Sequence, residues 1–430
     1  MQIRIIYLLL LNFTLLFAQS PLNEVGYISD RSNNKIPYLN HILIQPYPLV
    51  INQDKYKVYF LVDIMYDFLQ FVKEEDFYSA SFQIEVNLTN EETKESHKIL
   101  WKSSFSVYSF SETNRRDKYH FSLDSIEIAP GEYNIQIEYQ DLQGKQNNIS
   151  NLKLFLKPIT EMYVAKPLFL VMNGNHQSYG ILPGRPLALQ NNIPFNLPLK
   201  LFLHSYVSDQ TNMSINFKII PEGFIDPIFQ LDTTITVDNL QVSNTFSVPF
   251  IKFKEGRYIL KSKYIAGRDS TEHSFTFNII WFNKPRSLRY IEYSIRPLEV
   301  IISKEEFKQI NSGNKKEKQK KFEAFWDKKD PTPETAFNEV FYEFYSRVDS
   351  VDLVWGGKRR YNGWSTDPGR IYLMYGQPDK IVDQSLNPVS PYLKWIYYRP
   401  DHYKIFIFEA LDGRKRYKLI SEEEEEFEKN

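Results

Sequence analysis

From about Lys57 to Ile279 apolar and polar residues alternate in short runs, as in Ser81-Phe-Gln-Ile-Glu-Val-Asn87, Tyr133-Asn-Ile-Gln-Ile-Glu-Tyr139 and Ser274-Phe-Thr-Phe-Asn-Ile279. Alternation at period two marks strands with one buried and one wet face. Two of these stretches match each other in register. Phe121-Ser122 corresponds to Phe246-Ser247, Ile126 to Ile251, Gly131 to Gly256, Tyr133 to Tyr258 and Tyr139 to Tyr264, all 125 residues apart (256 − 131 = 125). One constant offset over so many positions marks an internal repeat.

The repeated unit reads as a strand, a glycine turn (Pro130-Gly131-Glu132 or Lys254-Glu255-Gly256) and a long strand entered through a tyrosine. That pattern is similar to the closing hairpin of an immunoglobulin-like sandwich, where glycine tolerates the turn and the tyrosine ring packs across the core edge. Residues 30–158 and 160–282 are therefore expected to form two tandem all-β sandwiches. The 32 Phe and 29 Tyr supply the packing material, since each aromatic ring buries a large apolar area. The Tyr and Phe could also form a sugar-binding platform, but they fall on the alternating buried positions, which favours core and edge packing.

Residues 1–18 carry one positive charge at Arg4, an apolar run from Ile5 to Phe17 broken by Asn12, and a small residue at Ala18. This is the layout of a secretory signal peptide, and the run is shorter than the roughly 18–20 residues a membrane span needs. Its removal would shift the formal net charge from −1 to about −2, which argues against a nucleic-acid partner or a polybasic membrane surface. The expected destination is export, with the periplasm ahead of the cell surface or the medium, and no transmembrane segment after signal removal. With no cysteine, neither disulfides nor a lipid anchor on an N-terminal cysteine is open to the chain, so stability must come from packing.

After Trp281 the pattern changes to a helical one. Ser303-Lys-Glu-Glu306 has the form of a capping box, and Lys315–Lys321 reads as the solvated face of a helix whose Phe322, Phe325 and Trp326 turn inward. Thr332-Pro333 is expected to cap and open a long helix. Along it Phe337, Phe341, Phe344, Val348, Val351 and Trp355 form one apolar stripe, and Gly356-Gly357 ends it. Strands are expected at 370–375, 393–398, 404–409 and 416–420, which makes residues 287–420 an α+β domain of helices on a small antiparallel sheet. Residues 421–430, with Glu422–Glu426, read as a solvated acidic tail.

The most distinctive local sequence is Gly363-Trp364-Ser365-Thr366-Asp367-Pro368-Gly369-Arg370, followed by Gly376-Gln377-Pro378-Asp379 and Trp395-Ile-Tyr397. Two glycines bracket a tight loop in which Thr366 or Asp367 can accept from nearby amides while Trp364 anchors the loop. Together with Arg296-Pro297-Leu298, Phe325-Trp326, Asn338-Glu339 and Arg347-Val348, this ordered series resembles the GWxTD domain family. The resemblance covers about residues 287–420 and implies a signal-bearing bacterial protein with this domain behind β-rich segments; it implies no established activity. Members usually have a basic residue where Pro368 stands, and Arg370 is the nearest substitute. The spacing Gly376-x-Pro378-Asp379…Trp395-x-Tyr397 also resembles small periplasmic modules of outer-membrane assembly lipoproteins.

Gly363, Trp364, Thr366, Asp367, Arg370, Pro378, Asp379 and Trp395 are thus the candidate motif and binding residues. No catalytic residue, metal or cofactor is indicated. The seven histidines are scattered, and no His-Glu-x-x-His pair, nucleophile elbow or phosphate loop occurs. The best catalytic alternative is a carboxylate pair drawn from Asp367, Asp379 and Glu339, acting as a hydrolase or binder on glycan or peptidoglycan. A loop-capping role for Asp367, paired with Arg370, is the simpler expectation. Recognition or scaffolding of an envelope protein partner fits the domain series best, because function on such folds resides in surface patches.

Overall fold

The computed structural model describes residues 28–29, 41–115, 118–144, 146–159, 162–172, 179–187, 191–207, 212–237, 239–282, 284–356, 362–411 and 416–426. The signal-peptide reading of residues 1–18 falls outside them. The chain is mostly β, with several antiparallel sheets and few helices, and it divides into two compact units after Phe282.

The first unit contains two series of seven principal strands. The first series is β1 (Ile42–Asn52), β2 (Lys55–Met65), β3 (Tyr78–Asn90), β4 (Ser96–Val107), β5 (Tyr119–Ile128), β6 (Gly131–Asp141) and β7 (Asn147–Leu156). The second is β8 (Leu168–Val171), β9 (Leu199–Tyr206), β10 (Asn212–Pro221), β11 (Phe229–Thr236), β12 (Gln241–Ser247), β13 (Gly256–Ala266) and β14 (Asp269–Ile280). Strand order repeats with strand number. One sheet runs β7-β6-β3-β4 and its counterpart β14-β13-β10-β11; the facing sheet runs β1-β2-β5 and its counterpart β8-β9-β12, all through antiparallel pairs.

Alternation drives this arrangement. In β6 the buried positions are Tyr133, Ile135, Ile137 and Tyr139, and in β13 they are Tyr258, Leu260, Tyr264 and Ala266 with Ser262 between. The strand and its repeat begin at glycines with φ of 155° and 154°, a backbone region that side chains disfavour. Two residues on, Tyr133 Oη donates to the Ala129 carbonyl at 3.0 Å and Tyr258 Oη to the Lys254 carbonyl at 2.7 Å. The expected closing hairpin is corrected by the pairing: β5 belongs to one sheet and β6 to the other. Residues 128–131 therefore carry the chain across the core, and the tyrosine staples that corner.

Each series has its own buried cluster, and the two exchange residues at their border. Leu168, Leu170, Phe202 and Tyr206 join the buried cluster built around Tyr47, Phe60, Phe82 and Tyr139. Tyr47 Oη donates to the Lys166 carbonyl at 2.9 Å, and Arg185 Nη2 lies 2.6 Å from Asp63 Oδ1, whose residue is 1% exposed. A carboxylate that deeply buried persists only with its partner in place.

The second unit carries α1 (Ile291–Ile295), α2 (Lys304–Ile310), α3 (Lys315–Asp327), α4 (Glu339–Trp355) and α5 (Asp367–Tyr375), then a sheet in the order β15 (Lys380–Gln384), β16 (Tyr392–Tyr398), β17 (His402–Ala410), β18 (Tyr417–Glu426). Ser303 accepts from the Glu306 amide at 3.2 Å to start α2, while the reciprocal capping box is at Asn314 and Glu317 on α3. Phe322, Phe325 and Trp326 of α3 and Phe344, Val348 and Val351 of α4 share one core. The apolar stripe is therefore a packing surface.

Three local expectations need correction. The long helix begins at Glu339, not Pro333: Asn338 is the cap, accepting from the Phe341 amide at 2.8 Å and donating to the Trp326 carbonyl at 2.8 Å, while Thr332–Thr335 form a separate turn. Residues 370–375 are helix α5, not a strand, and the sheet instead takes β15. Ile371 faces the sheet core and Leu373 the helical core, so the buried residues of α5 divide between two cores, and of residues 370–375 Arg370 and Met374 alone are exposed, too few to mark a 3.6-residue stripe. Finally, residues 417–426 form a paired strand, where the sequence reading placed a solvated tail from 421. Lys404 Nζ on β17 lies 2.8 Å from Glu422 and 3.0 Å from Glu424, which offsets like-charge repulsion along the strand.

Candidate functional site

The motif segment enters as a single helical turn over Gly363–Ser365 and becomes α5. It lies against the C-terminal half of α4. A β-carbon on Gly363 would come 2.0 Å from the Val351 carbonyl oxygen, and one on Gly369 would come 1.9 Å from the Gly363 oxygen. Both contacts are to backbone, so no rotamer change could relieve them. Glycine is required at the two positions by close approach.

The hydroxyl of Thr366 and the carboxylate of Asp367 each have a local structural partner. The Thr366 hydroxyl donates to the Gly363 carbonyl at 2.7 Å and accepts from the Gly369 amide at 3.2 Å, capping α5. Asp367 Oδ2 accepts from the Leu419 amide at 2.8 Å, tying the start of α5 to β18. Pro368 is buried in the first helical turn, where its missing amide hydrogen costs nothing. Trp364 is buried in the helical core. The expected Asp367–Arg370 pair is not formed: the Asp367 carboxylate is taken by the Leu419 amide, and Arg370 is exposed.

The remaining motif residues extend the same framework. Asp379 is exposed and accepts from the Tyr398 amide at 2.7 Å, and Pro378 is buried beside it. Trp395, 2% exposed, packs on Trp355, Tyr372 and Phe408. Tyr397 Oη donates to the Gly376 carbonyl at 3.0 Å. Arg347 donates to the Leu373 carbonyl at 3.2 Å and pairs with Glu343, placing a cation at the C-terminal end of α5. Glu339 accepts from the Thr332 hydroxyl at 2.7 Å. Asp367, Asp379 and Glu339 are thus each held by a different group, and the structure does not bring them together as a pair.

This series is what decides the family. Residues 262–429 match the GWxTD domain model, a match that begins in β13 and takes in the whole motif set. Over that C-terminal region the chain is similar to the GWxTD domain. No curated protein matches the chain. Among solved structures, a GH2 β-galacturonidase from Eisenbergiella tayi bound to glycerol aligns with 59% of this chain at 6% identity and a TM-score of 0.20. The chain covers 43% of that structure's length, and a likeness this weak carries no argument about fold or activity.

Sequence reasoning missed the groups beside the motif. Asp352 of α4, 8% exposed, accepts from the Gly363 amide at 2.7 Å and the Trp364 amide at 3.4 Å through one oxygen. Burial pushes its carboxyl up to about 6, against the two amides that favour the charged form. One turn earlier, Asp349 accepts from the amides of Arg286 and Ser287. The two carboxylates face a cleft of about 170 Å³ that Arg286, Arg289, Tyr290 and Trp364 help to line. The available signal was a pair of aspartates three apart, each one residue after a valine of the GWxTD domain's apolar stripe. Among the described residues no group of three His, Asp or Glu is disposed to hold a metal ion, and no helix is long and apolar enough to cross a membrane.

Proposed function

We propose that this is an exported bacterial envelope protein whose GWxTD domain acts by non-catalytic recognition or scaffolding of a protein partner. The observation that carries the reading is the internal satisfaction of the motif. Thr366 and Asp367 spend their side chains on backbone groups, and Gly363 and Gly369 are shaped by contact with α4 and with each other. Residues so committed fix a corner between helices and sheet; they are not poised for proton transfer or nucleophilic attack.

In this reading the two β-series are tandem immunoglobulin-like sandwiches that serve as the arm, and the periplasm is the destination, with the cell surface or medium as the further alternatives. The repeated strand order and the tyrosine across each β5–β6 and β12–β13 corner support the sandwich assignment, because a tyrosine bonded back to the backbone at that corner is a feature of such domains.

The test is photo-crosslinking in envelope fractions of the native host, comparing the full chain with a chain ending at Phe282 whose β unit keeps its melting temperature. Partners lost with the GWxTD domain are expected; identical partner lists would sink the recruiting role. Mass measurement of the exported chain, expected to begin at Gln19, tests the signal peptide.

A further inference from the structure

The cleft beside Trp364 holds features that the framework role of the motif does not explain. Ser287 is 9% exposed, yet its Oγ has no hydrogen-bond partner among the described residues. Buried hydroxyls are nearly always paired. Asp352 gives one oxygen to both motif amides, which leaves the other for the cleft that the residue lines. Arg286 and Arg289 are exposed at its rim, and neither guanidinium is in an ion pair among the described residues. The Tyr290 ring is 58% exposed beside them.

These groups have a chemical order. The floor offers a hydroxyl and a carboxyl, which need polar partners. The rim offers two guanidinium forks, which match a carboxylate in shape and charge. The wall offers a flat ring face with an apolar body. A cavity of about 150 Å³ accepts one six-membered ring, and the cleft measures about 170 Å³. An aromatic acid would fit the wall and the rim but leave the floor unpaired, which binding sites penalise strongly. A ring edged with hydroxyls satisfies all three.

We infer that this cleft binds one pyranose ring carrying a carboxylate, a uronic-acid unit of a glycan, with the ring on Tyr290, its hydroxyls on Ser287 and Asp352 and its carboxylate on Arg286 and Arg289. Both oxygens of Asp349 are already taken by the amides of Arg286 and Ser287, so the carboxylate of the ligand is assigned to the two guanidinium groups. The assignment does not depend on the protein-partner reading, and either can fail alone.

The experiment follows tryptophan fluorescence of the full chain during titration with galacturonic acid and glucuronic acid, using galactose, glucose, sodium acetate and sodium benzoate as comparison ligands. Trp364, at the cleft, is the reporter. Saturable binding of at least one uronic acid is expected, with neutral sugars, acetate and benzoate each at least about tenfold weaker and a loss of about tenfold in Arg289→Ala and in Ser287→Ala, each of which removes one polar contact. Where Arg289→Ala lowers the melting temperature, Arg289→Lys, which keeps the charge without the fork, carries the same comparison. Absence of saturation by both acids, binding of acetate or benzoate as tight as that of the sugar acid, or unchanged affinity in the folded Arg289 and Ser287 variants would each overturn the assignment.

Discussion

Asp352 links the long helix to the motif loop while sitting where a charge is expensive, and replacing it with asparagine separates those two roles. Asparagine keeps an oxygen that can accept from the Gly363 and Trp364 amides but carries no charge to desolvate. Burial raises the folded-state pKa from the ordinary 3.8 to about 6. In that interval the folded protein retains a proton that the unfolded chain has released. Stability therefore declines as pH rises from about 4 through about 6 and is flat above it. A shift of about 2 units is worth at most about 3 kcal/mol, and solvent entering from the cleft reduces this to about 1–2 kcal/mol. Asp352→Asn is expected to be that much more stable than the wild type at pH 7.5 and equal to it near pH 4. Four of the six tryptophans, Trp326, Trp355, Trp364 and Trp395, lie in the C-terminal unit, so urea unfolding followed by tryptophan emission reads this domain. A variant less stable than wild type at pH 7.5, or a difference that does not change between pH 4 and 7.5, would refute the reasoning and show that the ionised carboxylate is what the amides require.

Other substitutions probe the same physics elsewhere. Gly363→Ala puts a β-carbon 2.0 Å from a carbonyl oxygen of α4 and is expected to cost more than about 3 kcal/mol, comparable to the larger core overpacking effects; denaturation of the C-terminal unit by circular dichroism and tryptophan emission checks it. Gly131→Ala and Gly256→Ala share the same backbone strain, about 1 kcal/mol or more, but only the first also meets a neighbour, Asn90 Nδ2 at 2.6 Å, so the melting temperature should fall further for Gly131→Ala. Arg185→Met takes the guanidinium from the buried Asp63 carboxylate and should lower the stability of the β unit by roughly 3 kcal/mol, with Asp63→Asn in the same chain recovering part of the loss; urea midpoints of the single and double variants decide this.

How much of this was legible in advance varies with how local the cause is. The repeated glycine and tyrosine at 131/133 and 256/258 announced two equivalent corners, because a positive φ and an i−4 hydroxyl bond are short-range devices. That the corner joins two sheets instead of closing a hairpin depends on which strands pair, and pairing is set by residues far away in sequence.

For the GWxTD domain the residues alone determined the motif, the apolar stripe of α4 and the absence of the usual catalytic patterns. Periodicity sufficed there because one face of α4 is buried and the other is not. The tertiary structure decided the rest. Ile371–Tyr375 became a helix whose apolar residues divide between two cores, with Arg370 and Met374 on its exposed side. Glu422–Glu425 joined a sheet because Lys404 on the neighbouring strand supplies the countercharge. The cleft exists only because residues 286–290 fold onto Asp349, Asp352 and Trp364, a contact between positions some sixty residues apart (349 − 286 = 63). No periodicity within either segment encodes it.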